Sequence, residues 1–369
     1  MLEIAFIRAT GIFDDSRSTK EIISLSKAGY RIHVLSWDRY GNADEKNRKI
    51  FQEYPNIEFS YYEKLIPMGI GIKNIFKLLG WFAWIDMNLK KHQNLKVVHA
   101  CNLDTVIPAM RYCRRKKCKL VYDVFDYYVD SHNIPSFLEK TVENKEIEAI
   151  NYADVTIICT EERREQIAKA NPKKVIVVYN SPDITKQYSD GVCYDYVYCG
   201  ALCSKRLVGE ILDEYPKHAN LKFFFAGYGE YAKKCKELAG QYQNFTYSEP
   251  IPYEQVLEAE AKSRCLSAIY EPSIRNHRLC APNKFYESLA LAKPVIVCEG
   301  TGIDETVNKN KIGTVIEYDV EQFFNAVELL KHNEKLCTEM GVHGKKLYEE
   351  KFRWQIMSKR LLLLYERII

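Results

Sequence analysis

Short β-rich runs alternate with helical patterns along the whole chain, and this alternation restricts the fold more than any other feature. The first run, Leu2–Arg8, leads into a loop over Thr10–Ser18 and a helix from about Thr19 to Lys27, which Gly29 ends. Arg31–Trp37 reads as the next strand, with others at Val97–Ala100, Lys119–Asp123, Val155–Cys159 and Lys174–Tyr179. Six strands in this rhythm describe one doubly wound parallel sheet.

The pattern then restarts. Asp195–Cys199 is a strand, Val208–Glu214 a helix, Leu221–Ala226 a strand and Tyr231–Gln241 a helix. Strands at Phe245–Tyr247, Leu266–Tyr270, Pro294–Val297 and Gly313–Ile316 follow, and the polar interval Ser181–Tyr194 is the expected linker. A chain of 369 residues is too long for one ordinary core. The expectation is therefore an α/β protein of two doubly wound Rossmann-like domains facing across a cleft. Their expected bounds are 1–182 and 183–350, with 351–369 a helix that crosses back to the first domain and Trp354 as its anchor. In such sheets ligands bind at the carboxyl ends of the strands.

Composition narrows the classes of function. With 47% hydrophobic and 28% charged residues the chain is globular, and a net charge of +4 with no recognition module argues against nucleic acid. Twelve cysteines show no Cys-x-x-Cys pair, and Cys159, Cys199 and Cys298 lie in apolar runs where cysteine acts as a small hydrophobe. With a strand beginning next to Met1 and no signal peptide or apolar span, a cytoplasmic location is expected.

Several short motifs carry chemistry. The second half contains Ala281-Pro-Asn-Lys-Phe-Tyr-Glu-Ser-Leu-Ala-Leu-Ala-Lys-Pro-Val-Ile296, Tyr198-Cys-Gly-Ala-Leu-Cys-Ser-Lys-Arg206 and Phe224-Phe-Ala-Gly-Tyr-Gly229. The first half contains His99-Ala-Cys-Asn-Leu-Asp104, Tyr122-Asp-Val-Phe-Asp126 and Val177-Val-Tyr-Asn-Ser-Pro182. In this order they resemble the motifs of GT-B glycosyltransferases, particularly the retaining family 4. The resemblance implies a nucleotide-diphosphate sugar as donor, UDP- or GDP-linked, with no separate cofactor and no metal. It also implies a glycan, lipid-linked or other hydroxyl acceptor.

The chemistry suits those residue types. The leaving diphosphate needs a cation and a helix N-terminus. Pro282 fits the first turn of a helix running to about Ala292, leaving the N–H groups of Asn283, Lys284 and Phe285 for phosphate oxygens. Lys284 adds charge, Arg206 reaches in from the Gly200 loop with its fork, and Glu287 accepts from the ribose hydroxyls. Gly227 ends a strand beside them, and the base rests near Ile251 by the same resemblance. A capped amphipathic helix with an exposed Lys284–Glu287 pair is the plain alternative. On the acceptor side, Gly11 lets backbone approach the donor, Asp14 or Arg17 fixes the loop or acceptor, and His99 or Asp126 orients or deprotonates the hydroxyl. His99 reads equally as a satisfied strand-end histidine.

The sequence departs from the family pattern at Leu279, Cys101, Phe125 and Ala201, where a glutamate, two histidines and an arginine are usual. These departures keep open a catalytically silent nucleotide- or glycan-binding homologue. A GT-B epimerase would want more acid/base residues. A dinucleotide-dependent oxidoreductase is disfavoured, because Arg8–Ser18 lacks Gly-x-Gly-x-x-Gly. Finally, Leu65–Lys91 carries Ile72, Ile75, Phe76, Leu79 and Phe82 at helical spacing with Trp81 and Trp84 nearby, and six of the nine residues in Arg111–Lys119 are basic. Peripheral contact with anionic lipid is one reading; a buried helix and a solvated charge run is the other.

Overall fold

The computed structural model describes residues 1–65, 75–184, 186–188 and 191–369. Ile72 of the apolar stretch, and residues 185, 189 and 190 of the expected linker, lie outside the described residues. Two compact units emerge, Met1–Asn180 with Gln355–Ile369, and Ser181–Trp354.

The first unit holds a seven-stranded parallel sheet in the order β3-β2-β1-β4-β5-β6-β7. Its strands are β1 (Glu3–Arg8), β2 (Arg31–Asp38), β3 (Ile57–Glu63), β4 (Leu95–Cys101), β5 (Lys119–Val124), β6 (Val155–Ile158) and β7 (Val175–Val177). Strand β3 was not expected from sequence. It is an edge strand whose Glu58, Ser60 and Glu63 interrupt the apolar run, and only β2 pairs with it. The strand order reverses at β1, between β2 and β4, which opens a crevice at the carboxyl ends there. Asp15 caps the helix Ser16–Lys27 by accepting from Ser18 N (3.0 Å), one turn earlier than the sequence suggests.

The helix Trp354–Ile368 buries Met357, Leu361, Leu364 and Tyr365. From Gln355 onward it belongs to the first unit, where Met357 Sδ accepts from Tyr179 N at 3.3 Å and Arg360 donates to Val177 O at 3.1 Å.

The second unit has six parallel strands ordered β10-β9-β8-β11-β12-β13. They are β8 (Tyr194–Ala201), β9 (Phe223–Tyr228), β10 (Phe245–Ser248), β11 (Ser263–Ala268), β12 (Val295–Cys298) and β13 (Gly313–Ile316). Its switch point lies between β8 and β11. Interlocked aromatics fill one side of this sheet, with Tyr196 edge-on to Phe323 at 5.0 Å and Tyr215 edge-on to Phe245 at 4.8 Å.

One buried carboxyl in the first unit makes stability depend on pH. Glu146 is fully buried, accepting from Tyr122 OH (2.8 Å) and Tyr128 N (2.9 Å), and burial pushes its pKa up to about 8. A raised carboxyl pKa means the folded state holds its proton longer than the unfolded chain. The stability is complete below the ordinary glutamate range and is lost as pH rises towards about 8. Glu146→Gln should flatten that decline, raising stability at pH ~9 by about 2–4 kcal/mol. Thermal melts at several pH values check this.

Candidate functional site

In the second unit, β8 and β9 end side by side, with Gly200 registered against Gly227 and Ala201 against Tyr228. The two backbones approach too closely for side chains: a Cβ on Gly227 would lie 1.8 Å from Gly200 O, and one on Gly229 2.4 Å from Leu202 O. The Gly-x-Gly of Phe224–Gly229 is thus a close crossing of strand ends. Gly227→Ala should destabilise the protein by about 2–3 kcal/mol, read by chemical denaturation.

Lys284 lies across this crossing. A Cβ on Gly200 would sit 3.7 Å from Lys284 Cε. The helix Asn283–Ala290 starts immediately after Pro282, so Lys284 stands in its first turn. Its Nζ lies 3.0 Å from Glu260 Oε1, 4.0 Å from Glu287 Oε2 and 5.6 Å from the centre of the Tyr198 ring. Tyr253 OH donates to Glu287 Oε1 at 2.9 Å. Burial opposes the Lys284 charge, but Glu260 and then Glu287 outweigh it and raise its pKa. Glu260 is fully buried, its Oε2 makes no hydrogen bond, and burial pushes its pKa up to about 8 against the pull of Lys284. The lysine therefore carries a persistent charge balanced by two carboxylates, one held close to its protonated form.

Arg206 joins the same neighbourhood, with its guanidinium 4.9 Å from the centre of the Tyr270 ring. Tyr270 and Tyr198 favour its charge. Ile251, in the loop after β10, packs on Val197, Cys199, Ala226 and Leu266.

Three details differ from the sequence reading. Pro282 is the residue capping the helix, with extended backbone, and the helix ends at Ala290 because Ala292 takes φ +55°. The Phe285 N–H donates to Pro282 O at 3.1 Å, which leaves those of Asn283 and Lys284 facing outward from the turn. Glu287 is 3% exposed and held by Tyr253 and Lys284, so it is not an exposed helix-surface partner.

The carboxyl edge of the first sheet gathers a second constellation. Arg17 is buried and donates to Glu21 Oε1 (3.0 Å), Asp123 Oδ1 (2.5 Å) and Cys159 Sγ (2.8 Å). It therefore ties the first turn of the helix Ser16–Lys27 to β5 and to the end of β6, and does not face outward. His99 is fully buried, with Nδ1 2.7 Å from Tyr365 OH and Nε2 3.4 Å from Asp123 Oδ2 and 3.7 Å from Glu21 Oε2. Burial lowers the His99 pKa to about 4, so the ring is neutral. With Tyr365 donating to Nδ1, the Nε2–H faces the carboxylates. Burial also raises Glu21 to about 7 and Asp123 to about 6. His99 thus stands inside a buried network, away from the open strand end where the sequence reading put it. His99, Cys101 and Asp123 have the donor atoms for a metal ion, but Arg17 already supplies the cation on Asp123.

Asp126 is 44% exposed and paired with Arg163 at 3.0 Å, while Asn102, at φ 68°, accepts from the N–H groups of Phe125 (2.9 Å) and Asp126 (3.3 Å). Arg8 and Arg17 lie 4.0 and 4.5 Å from the ring of Phe125, the residue at the motif position where a histidine is usual. In the loop after β1, the left-handed residue is Ile12 (φ 70°) and not Gly11. A β-branched side chain there is strained, and Ile12 O is held by Asp15 N at 2.7 Å. Gly11 O accepts from Asn47 at 2.7 Å. The sequence reading missed Glu260, Tyr253, Glu21 and Tyr365, and gave Tyr198, inside a quoted motif, no role. Asp123 lay inside a quoted motif whose role had been given to Asp126.

Comparison with known proteins agrees with the two-domain fold. Residues 197–347 match the family model of glycosyl transferases group 1. No curated protein matches the chain. Among solved structures, sucrose-phosphate synthase from Thermosynechococcus elongatus superposes with TM-score 0.76 at 13% identity, covering 100% of this chain and 99% of that one. Anabaena HepE in complex with UDP and glucose gives 0.71 at 14%, covering 100% of both chains. S. aureus TarM, in complex with fondaparinux, α-GlcNAc-glycerol and UDP, gives 0.69 at 12%, covering 100% of this chain and 99% of that one. The chain therefore has the GT-B fold, and its residues 197–347 match the model of glycosyl transferases group 1.

Proposed function

We propose that the chain moves a hexose-type sugar from a UDP-linked donor to a hydroxyl of a glycan or lipid-linked acceptor, retaining anomeric configuration without a metal. The supporting observation is Lys284 in the first turn of its helix, over the Gly200–Gly227 crossing, with Glu260 and Glu287 on its ammonium. UDP is favoured over GDP because HepE and TarM are described with UDP. In this reading the N–H groups of Asn283 and Lys284, the Lys284 ammonium and the Arg206 guanidinium hold the diphosphate and the charge that develops on it. Diphosphate arriving at Lys284 pushes Glu260 towards its protonated form, so the lysine charge turns from carboxylate to phosphate. Glu287 takes the ribose hydroxyls, Gly227 lets backbone come close, and Ile251 lies under the base.

On the acceptor side, the leaving phosphate oxygen takes the proton on the face it leaves, so that position and charge carry the catalysis. His99 acts as a positioning residue, and Asp126, exposed beside Arg163, orients the acceptor. Peripheral membrane contact is part of the proposal: Leu79 and Met87 are exposed on the helix Ile75–Leu89, and Arg114 to Lys117 end the helix Leu103–Lys116. Among the described residues no helix is long and apolar enough to cross a membrane.

Incubation with UDP- and GDP-sugars, scoring nucleotide release with and without glycan or lipid-linked acceptors, tests this reading. Acceptor-dependent UDP release is expected. Binding with no release for any pair would favour the silent homologue.

A further inference from the structure

The amino-terminal edge of the first sheet, at the opposite end of the strands from the Gly11 loop, carries a cluster that the transferase reading does not use. Glu3 on β1 registers against Arg31 on β2, and His33 on β2 registers against Glu58 on β3. Residues 31 and 33 share a face, as do registered neighbours in a parallel sheet, so Glu3, His33 and Glu58 rise from one side. His92, in the connection leading to β4, closes over them, its ring centroid 3.7 Å from that of His33. A pocket of about 410 Å³ opens here, with Arg31 and Lys91 also on its wall.

Two observations set this apart from an ordinary surface cluster. The His33 side chain is 6% exposed, and its ring nitrogens face the Glu3 and Glu58 carboxylates without a well-formed hydrogen bond to either. Glu3, His33 and His92 each present one ligand atom, and the three atoms lie within 4.8 Å of one another. Two imidazoles and a carboxylate brought together in this way are a zinc-class donor set.

We propose that Glu3, His33 and His92 bind one divalent transition-metal ion of the zinc class. Ligand atoms around a tetrahedral ion of this kind stand roughly 3.3–3.5 Å apart, so a small rotation of the partly exposed Glu3 and His92 closes the site. His33 coordinates through Nε2, which lies 3.5 Å from Glu3 Oε2. Its Nδ1 lies 3.1 Å from Glu58 Oε2, and that carboxylate fixes the tautomer as an outer partner. Lys91 is drawn aside to Asn88 Oδ1 at 2.8 Å. The ion would fasten β1, β2 and the connection before β4 of the first unit, whereas Lys284 belongs to the second, so it serves structure and leaves the sugar-transfer proposal independent of it.

Titration of the metal-free, reduced chain with Co²⁺ and Zn²⁺ tests the site. The expected result is one ion per chain, with cobalt d–d absorption lacking the near-ultraviolet thiolate charge-transfer band. His92→Ala and Glu3→Gln, both at partly exposed positions, should each weaken binding by at least about 10-fold; Glu58→Gln should weaken it less. A thiolate band would place the ion on cysteines, for which Cys113 and Cys118, with sulfurs 3.2 Å apart, are the candidates. That result would overturn the proposal, as would no stoichiometric binding or unchanged affinity in both His92→Ala and Glu3→Gln.

Discussion

Lys284→Ala is expected to lower kcat by ~10²–10³-fold, the scale seen when one preorganised group facing developing charge is removed. The variant should also lose stability, because Glu260 keeps its burial and loses its cation. The two losses separate in the double variant Lys284→Ala/Glu260→Gln. A neutral amide needs no counter-charge, so stability should return while turnover stays low. If the double variant recovers turnover as well, Lys284 serves only to neutralise Glu260. Steady-state kinetics and denaturation on the same preparations provide both readouts.

The largest expected effect on stability comes from Arg17→Ala. Its guanidinium supplies hydrogen bonds to Glu21, Asp123 and Cys159 from a site that is 4% exposed. Removing one partner of a buried ion pair costs about 3–5 kcal/mol. Glu21, raised to about 7, and Asp123, raised to about 6, already favour the folded state more at low pH than at neutral pH. Raised carboxyl pKa values mean that their contribution is complete below the ordinary carboxylate range and is lost as pH climbs through those values. Arg17 offsets much of that loss, so the deficit of the variant should be larger at pH ~8 than at pH ~5. Denaturant titrations at both pH values check this; an equal deficit at both would show that the carboxylates are not its cause. Because Arg17 follows the strained Ile12 turn, the loop should also loosen, raising KM for the acceptor more than KM for the donor.

The parallel sheets were legible because their central strands are runs of Val, Ile, Phe and Tyr bounded by turn residues. Strand β13 falls at Gly313–Ile316 as expected, and β5 and β9 lie within two residues of their expected bounds at either end. Strand β3 escaped because an edge strand needs only one apolar flank and this one alternates with Glu and Ser. The donor motif was legible for a local reason: Lys284 and Glu287 belong to one helix, so their spacing fixes their proximity. Their partners were not, since Glu260 stands 24 positions from Lys284 and Tyr253 34 from Glu287. The same limit applies to His99, whose Tyr365 partner is 266 positions away, and it decides that the imidazole is enclosed and neutral. Strand-end position alone could not distinguish an enclosed histidine from an open one. Gly11 illustrates a finer point. Sequence marked Gly11 as the point of close approach, but the left-handed residue is the fully buried Ile12 beside it.

Titration of UDP into the whole chain by calorimetry, compared with Lys284→Ala and Glu287→Ala, tests the central claim most directly. A single site is predicted, with each variant losing about 1.5–3 kcal/mol of binding free energy, roughly 10- to 150-fold in Kd, while circular dichroism stays unchanged. Affinity equal to the parent chain in both folded variants would contradict the account, because UDP would then be held somewhere other than over the Gly200–Gly227 crossing.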